Sequence, residues 1–301
     1  MHRSRNALAP IWSIVLIAIA VALCGRAMAA TLYVLGQAAA GNNTNLATAF
    51  GSIDTVTGQY TTISGSVQGT TTVKNLALDP VTQTFYVSVG NGGNPALRTL
   101  TTSGSLSSSF GNIGKDVVAM WYNAATGTLT SFSRTTPQQL GTISTSTAGF
   151  SAGATLTGGT FGNFTGGRGA FLSSINYLVA PNATAANSAF GSIDFTTGVF
   201  TPIATGTSFQ TMVIASDGYA LYGLVPVTTG SSILYSINTT NGSLTKIVDV
   251  KPVSGILPIQ YSGASFAVVP EPSTIAMAVT GVAVLVGLRA GRRKKARPSA
   301  T

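Results

Sequence analysis

A pentapeptide that occurs twice constrains the fold of this chain more than any other feature. Phe-Gly-Ser-Ile-Asp stands at 50–54 and again at 190–194, and each copy continues into a glycine-containing turn and a second β-branched run. A third, looser version, LYSINTTNGSLTKI, occupies 234–247. Each version reads as a strand, a polar turn and a return strand, which is typical of a β-hairpin. The chain therefore repeats one hairpin, and this repetition predicts a repeated architecture.

The spacing of the hairpins predicts the size of the repeating unit. Weaker versions occur at 99–110 and 140–150, and one apolar residue marks each of the five versions: Ile53, Leu100, Ile143, Ile193 and Ile237. The steps between these marks are 47, 43, 50 and 44 residues. A period of about 45 residues in an all-β sequence predicts propeller blades of four strands each. Inner hairpins of these blades are expected at 75–89, 117–132, 169–180 and 211–225.

The two ends of the repetitive region are expected to close a ring. We expect residues 256–269 to supply the inner hairpin of a last blade and residues 31–64 to supply its outer hairpin, because closure removes exposed sheet edges. The region resembles the propellers whose blades carry an LYxID-xxTG hairpin. The expected fold is all-β, a β-propeller of about five four-stranded blades over residues 30–269. A β-sandwich or another repeated sheet is the alternative.

The N-terminal 29 residues have the composition of a secretory signal peptide. Arg3 and Arg5 precede an apolar run at 11–23, and Ala27-Met28-Ala29 provides a small-x-small cleavage site. This order of charge, apolar run and small residues predicts export and cleavage after Ala29. The alternative is an N-terminal membrane anchor. In either case the segment is expected to be helical and separate from the repeats.

The C-terminal segment, 270–301, combines a rigid motif, an apolar run and a basic tail. Pro270, Glu271 and Pro272 come first, and an uncharged run of 15 residues follows at 274–288. The tail carries six cations: Arg289, Arg292, Arg293, Lys294, Lys295 and Arg297. Fifteen helical residues rise about 22 Å, which is short for a bilayer core of about 30 Å. The run predicts a transmembrane helix that is marginal as a lasting anchor, and the cations should stay cytoplasmic.

This order of elements resembles a PEP-CTERM sorting signal. The resemblance covers about the last 32 residues, and Pro270, Glu271 and Pro272 carry it. It implies a membrane-bound sorting protease of the exosortase type as a partner, a transient stay in the inner membrane, and release to the cell surface or the medium. An ordinary C-terminal membrane anchor is the alternative. The resemblance implies a route and a compartment, and it implies no biochemical activity.

The charge and the residue inventory of the body exclude several classes of function. The whole chain has a formal charge of +9, but residues 30–269 hold seven cations and six acids, a net charge of +1. No basic stripe marks a nucleic-acid partner. The same residues contain no Cys, His or Glu, so disulfides, zinc sites, Ser-His-Asp triads and Cys nucleophiles are excluded. No cofactor is expected.

Asp and aromatic residues are the remaining candidates for chemistry. Asp54, Asp79, Asp194 and Asp217 stand before turns, where such side chains usually bond backbone amides. Four aromatic residues are candidates for stacking on sugars, with blade core as the alternative: Tyr60, Trp121, Tyr122 and Tyr261. We therefore expect a non-enzymatic cell-surface or secreted interaction protein associated with extracellular polysaccharide or biofilm matrix. The alternative is an Asp-dependent propeller hydrolase or lyase that acts on such a polysaccharide.

Overall fold

The computed structural model describes most of the repetitive region and neither end of the chain. The described residues are 31–38, 48–67, 72–90, 93–123, 126–134, 137–159, 168–180, 182, 184–228, 231–254 and 258–267. One compact unit spans Ala30–Ala267. The predicted signal helix and the predicted transmembrane helix lie outside these residues. Within them, no helix is long and apolar enough to span a membrane.

The described residues form twenty β-strands, and sixteen of them make four consecutive antiparallel units. Blade I contains β4 (Val73–Asp79), β5 (Thr84–Val89), β6 (Ala96–Leu100) and β7 (Gly111–Asn112). Blade II contains β8 (Val117–Asn123), β9 (Thr128–Ser133), β10 (Gln139–Ile143) and β11 (Phe150–Thr155). Blade III contains β12 (Gly169–Leu172), β13 (Ile175–Ala180), β14 (Ala189–Ile193) and β15 (Phe200–Thr205). Blade IV contains β16 (Val213–Ser216), β17 (Leu221–Thr228), β18 (Ser231–Ile237) and β19 (Leu244–Ser254).

Blade V joins the two ends of the region in one sheet. It contains β20 (Pro258–Ala267) followed by β1 (Thr31–Ala38), β2 (Thr48–Asp54) and β3 (Gln59–Ser64). β20 pairs antiparallel with β1, and Thr31 lies opposite Ala267. Two short 3-10 segments, Ala185–Asn187 and Thr207–Gln210, complete the described elements. The prediction that N- and C-terminal strands close the domain is confirmed.

The first strands of the five blades surround one axis. β4 contacts β8, β8 contacts β12, β12 contacts β16, β16 contacts β20, and β20 contacts β4. A parallel pairing of β19 with β3, in which Lys251 lies opposite Gln59, also joins the outer strands of blades IV and V. The structure is therefore a closed five-bladed β-propeller, as the repeat period predicts.

The five marks of the sequence repeat occupy equivalent places. All five are the last or the next-to-last residue of the third strand of their blade, and all are at most 5% exposed: Ile53, Leu100, Ile143, Ile193 and Ile237. Four of them lie opposite an apolar residue at the start of the fourth strand, as Ile193 lies opposite Phe200. Leu100 makes the corresponding bridge with Leu106, because the fourth strand of blade I is reduced to Gly111–Asn112.

The prediction of an inner hairpin at 256–269 is wrong, because the described part of this segment is the single strand β20. The Ser-Gly-Ala sequence at 262–264 resembles a turn, but Gly263 and Ala264 pair with Leu35 and Val34 of β1, and the register shifts by one residue at Ser262. A Cβ added at Gly263 would stand 2.7 Å from the backbone nitrogen of Leu76. Glycine is therefore needed for the close approach of β20 to β4, and no turn forms there. The second strand of blade V comes from the N-terminal side, as β1.

A ring of turns links each blade to the preceding one. The turn between the third and fourth strands contains one residue with positive φ in every blade: Gly58 (+71°), Gly104 (+84°), Ala148 (+64°), Gly198 (+77°) and Gly242 (+70°). A Cβ added at Gly58 would overlap the carbonyl oxygen of Asp249 in blade IV, and one at Gly198 would overlap that of Thr155 in blade II. These turns therefore sit directly against the outer strand of the preceding blade.

Candidate functional site

The propeller has two distinguishable ends, which we name from the connections between strands. At the turn end, first strands connect to second strands and third strands connect to fourth strands. At the loop end, second strands connect to third strands and successive blades are joined. Thr31 and Ala267, the first and last described residues, both lie at the turn end. The described part of the chain therefore begins and ends at the turn end.

Two aspartates at the turn end hold their own turns. The Oδ1 atom of Asp54 accepts hydrogen bonds from the backbone amides of Val56 (2.8 Å) and Thr57 (3.0 Å). Asp194 accepts the equivalent bonds from Thr196 (2.8 Å) and Thr197 (3.3 Å). These backbone donors lower the pKa of both carboxyl groups, because they stabilise the ionised form. The prediction that Asp54 and Asp194 bond turn amides is confirmed.

Asp79 and Asp217 combine turn capping with contacts to tyrosine. Asp79 accepts from the backbone amide of Val81 (2.9 Å) through Oδ1 and from the Thr82 hydroxyl (2.8 Å) through Oδ2. Asp217 accepts from the amides of Tyr219 and Ala220, and its Oδ2 accepts from the Tyr222 hydroxyl at 2.9 Å. Burial and this bond to Asp217 raise the pKa of Tyr222 to about 12.

Three of the four aromatic candidates belong to the core. Tyr60 and Tyr261 are at most 1% exposed, and Trp121 is 5% exposed. The Tyr261 hydroxyl bonds Ser232 at 2.9 Å, and Trp121 donates through Nε1 to Asn176 at 2.9 Å. These three side chains pack blades together, so stacking on a sugar from solution is not open to them.

Tyr122 is the aromatic candidate that remains half-buried. Its ring is parallel to that of Tyr86, with centroids 6.4 Å apart, at the junction of blades I and II. Burial raises the pKa of both phenols, and the nearby Asp79 carboxylate raises them further. This pair is a polar, aromatic feature of the turn end.

The four capping carboxylates of the turn end are distributed over four blades. Glycoside hydrolysis uses two carboxylates that flank one bond, and one of them needs a raised pKa. Asp54, Asp79, Asp194 and Asp217 belong to blades V, I, III and IV, and each caps its own turn. Within the described residues, no group of three potential metal-ligating side chains occurs. These four carboxylates therefore stabilise turns in four different blades.

Cations collect at the loop end. Lys74 is the second residue of β4, Lys115 precedes β8 by two residues, and Arg168 immediately precedes β12. Arg134 follows β9 and lies 3.7 Å from Asp116, the one acid of this end among the described residues. Our sequence reasoning missed this set, because it counted charges over the body without assigning them to an end.

Arg168 has a structural role within this set. Its guanidinium donates to the carbonyl oxygens of Gln210 (2.7 Å), Phe209 (3.4 Å) and Met212 (3.4 Å). Burial lowers the pKa of Arg168 to about 10, so it remains charged at neutral pH. The side chain fastens the start of β12 to the segment that leads into blade IV, and it adds positive charge beneath the loop end.

The predicted processing sites stay predictions. The cleavage-site residues Ala27 and Ala29 lie outside the described residues. So do the sorting motif, Pro270, Glu271 and Pro272, and the basic tail from Arg289 to Lys295. The last described residue, Ala267, precedes Pro270 by three positions.

Comparisons with known proteins support the fold and identify no family. No protein-family model matches the chain, and no curated protein sequence matches it. The chain is similar to the crystal structure of TolB from Acinetobacter baumannii, with a TM-score of 0.52 and 14% identity over 84% of this chain and 71% of that one. At this identity the likeness shows the fold alone.

Two weaker likenesses are to proteins described as enzymes. One is a putative 6-phosphogluconolactonase from Bacteroides uniformis, with a TM-score of 0.40 and 12% identity over 77% of this chain and 85% of that one. The other is an endo-1,4-beta-xylanase from Bacteroides thetaiotaomicron, with a TM-score of 0.44 and 12% identity over 74% and 92%. TM-scores below 0.5 carry no argument about the activity of this chain.

Proposed function

We propose that the protein is an exported interaction protein of the cell surface or the extracellular matrix. It is made with a signal peptide, held briefly in the inner membrane by its C-terminal helix, and released by an exosortase-type protease. Its propeller body then associates with extracellular polysaccharide. The body acts by binding in this proposal, and an Asp-dependent hydrolase or lyase is the alternative.

The observation that carries the proposal is the position of the ring closure. β20, the last strand of the propeller, ends at Ala267, and the Pro-Glu-Pro motif begins three residues later. All strands needed to close blade V therefore precede the motif. A cut near Pro270 would release a body whose sheet is complete, which is what a removable sorting signal requires.

The capped aspartates support binding over hydrolysis. Asp54 and Asp194 are ionised and bonded to turn amides, and Asp79 and Asp217 bond both amides and hydroxyl groups. The backbone donors lower the pKa of Asp54 and Asp194, which disfavours the protonated state that a general acid needs. A neutral body rich in Ser, Thr and Asn instead offers many hydrogen-bonding groups to a carbohydrate.

Replacing Glu271 with Ala tests the proposed route. We expect Glu271→Ala to keep the propeller in the membrane fraction. The substitution removes the only acidic group of the motif, and a protease that recognises the motif should then fail to cut. Thr274→Ala, at the start of the apolar run, is the matched control and should be released normally. Immunoblots of membrane and extracellular fractions measure the outcome. Release of Glu271→Ala at the unmodified level would contradict recognition of the motif.

A further inference from the structure

The charges of the propeller are separated along its axis. All thirteen charged residues between positions 31 and 267 lie in described parts of the chain, because the segments between those parts contain no Asp, Glu, Lys or Arg. Four of the six aspartates cap turns at the turn end: Asp54, Asp79, Asp194 and Asp217. The body is therefore nearly neutral as a whole but acidic at its turn end.

The loop end carries the opposite charge. Lys74, Lys115, Arg134 and Arg168 lie there with one acid, Asp116, which leaves an excess of three positive charges. The described ion pairs are Arg134 with Asp116 and Lys246 with Asp249. Lys74 and Lys115 thus have no carboxylate partner among the described residues. Both are half-buried, Lys74 on β4 and Lys115 two residues before β8, and these two first strands contact each other.

The remaining charges do not cancel this separation. Lys246, Asp249 and Lys251 lie on β19, the outer strand of blade IV, and Arg98 lies in the middle of β6. These four residues belong to the walls of the propeller. Two ends of opposite sign produce a field along the axis that orients charged partners, although the net charge is close to zero.

We propose that the loop end binds an acidic polysaccharide, one whose sugars carry carboxylates, across the cations of blades I to III. This inference rests on the proposed association with extracellular polysaccharide and specifies its chemistry and its location. The described part of the chain begins at Thr31 and ends at Ala267, both at the turn end and thus opposite the loop end.

The test measures binding of the full chain, purified in mild detergent, to two polysaccharides. Polygalacturonate is the acidic probe and dextran is the neutral one. We expect the protein to bind polygalacturonate at least tenfold more tightly than dextran, with an affinity that falls steeply as salt rises from about 50 to 200 mM, because released counterions contribute to binding. Equal binding of both polysaccharides would overturn the inference and leave the proposed function in place.

Variants of equal charge locate the site. Lys74→Gln with Lys115→Gln should weaken polygalacturonate binding about tenfold, whereas Lys246→Gln with Lys251→Gln, on the wall of blade IV, should change it less than twofold. If the double variant folds poorly, the single variant Lys115→Gln replaces it in the test. Lys115 lies outside any strand, so its replacement should leave the fold intact and still weaken binding. Equal losses in both double variants would contradict a site at the loop end, since only net charge would then matter.

A duplex DNA of matched charge separates polysaccharide recognition from general attraction to polyanions. DNA binding as tight as polygalacturonate binding would overturn the inference. Binding to neither polysaccharide would contradict the proposed association with polysaccharide. The proposed export route would be unaffected by that result, because the Glu271→Ala variant tests it separately.

Discussion

A Gly198→Ala variant is expected to lose about 2–5 kcal/mol of unfolding free energy. This range is the sum of the cost of a left-handed backbone at a residue with a Cβ and the cost of overpacking. Gly198 has a φ of +77° in the outer turn of blade III. An added Cβ would overlap the carbonyl oxygen of Thr155 in blade II, which is backbone and cannot rotate away. Thr157 also donates to the Gly198 carbonyl at 2.9 Å, so the turn cannot retreat without breaking a link between the blades.

The control for this substitution is Gly218→Ala. Gly218 has a similar φ, +90°, but nothing lies within 4 Å of the position its Cβ would take. Replacing Gly218 with Ala should lower the free energy of unfolding by about 1–2 kcal/mol, because only the cost of the left-handed backbone applies there. Thermal unfolding measures both variants. In a domain of this size, each kcal/mol of lost unfolding free energy lowers the melting temperature by about 2–4 °C. Equal melting temperatures for the two variants would contradict the close contact between blades II and III.

Removal of β20 is expected to abolish cooperative unfolding altogether. A chain that ends at Gly255 loses the strand that pairs with β1 and contacts both β4 and β16. It also loses the side chains of Tyr261 and Phe266, which are at most 4% exposed. The edge of β1 and the apolar faces of blades I and IV would then meet water, which favours aggregation over a stable four-bladed ring.

A longer truncation product distinguishes this effect from mere shortening. A chain that ends at Ala267 keeps every strand of the propeller and lacks only 268–301. Its melting temperature should lie within about 2 °C of that of the full chain, since a change well below 1 kcal/mol is expected. Calorimetry measures both chains. A cooperative transition in the chain that ends at Gly255 would contradict closure by β20.

The blades could be predicted from the sequence because their outer hairpins are local structures. The FGSID copies place Ile53 and Ile193 at the same position of the third strand, and Asp54 and Asp194 cap the same turn. The third strand, the aspartate that caps the turn and the glycine of the turn follow one another within a few residues. The hairpin can therefore be recognised directly in the sequence. The same locality allowed the turn roles of Asp79 and Asp217 to be predicted.

Contacts between distant segments could not be predicted in this way. Gly263 looked like a turn residue, and its actual role depends on Leu76, which is almost 190 positions away. Ala148 takes the left-handed conformation of its turn although Gly149 follows it, and no local rule selects alanine there. The Ala148 side chain is fully buried at the junction with blade I.

The loop-end cations required the topology before they could be recognised. Lys74, Lys115 and Arg168 are separated by 41 and 53 positions and form no motif. Once each first strand is known to run from the loop end to the turn end, a charge near its start falls on one side of the ring. The strand assignments from the repeat would have been sufficient to find them.

The central claim is that the propeller leaves the cell without its sorting signal, and the mass of the extracellular protein tests it most directly. Mass spectrometry of material from the cell surface and the medium should find a chain that begins at Ala30 and ends within residues 270–273. Such a chain retains all of β1 to β20 and none of the six tail cations. Recovery of extracellular peptides that contain Leu288 to Arg292 would contradict the claim, because the anchor would then have travelled with the propeller.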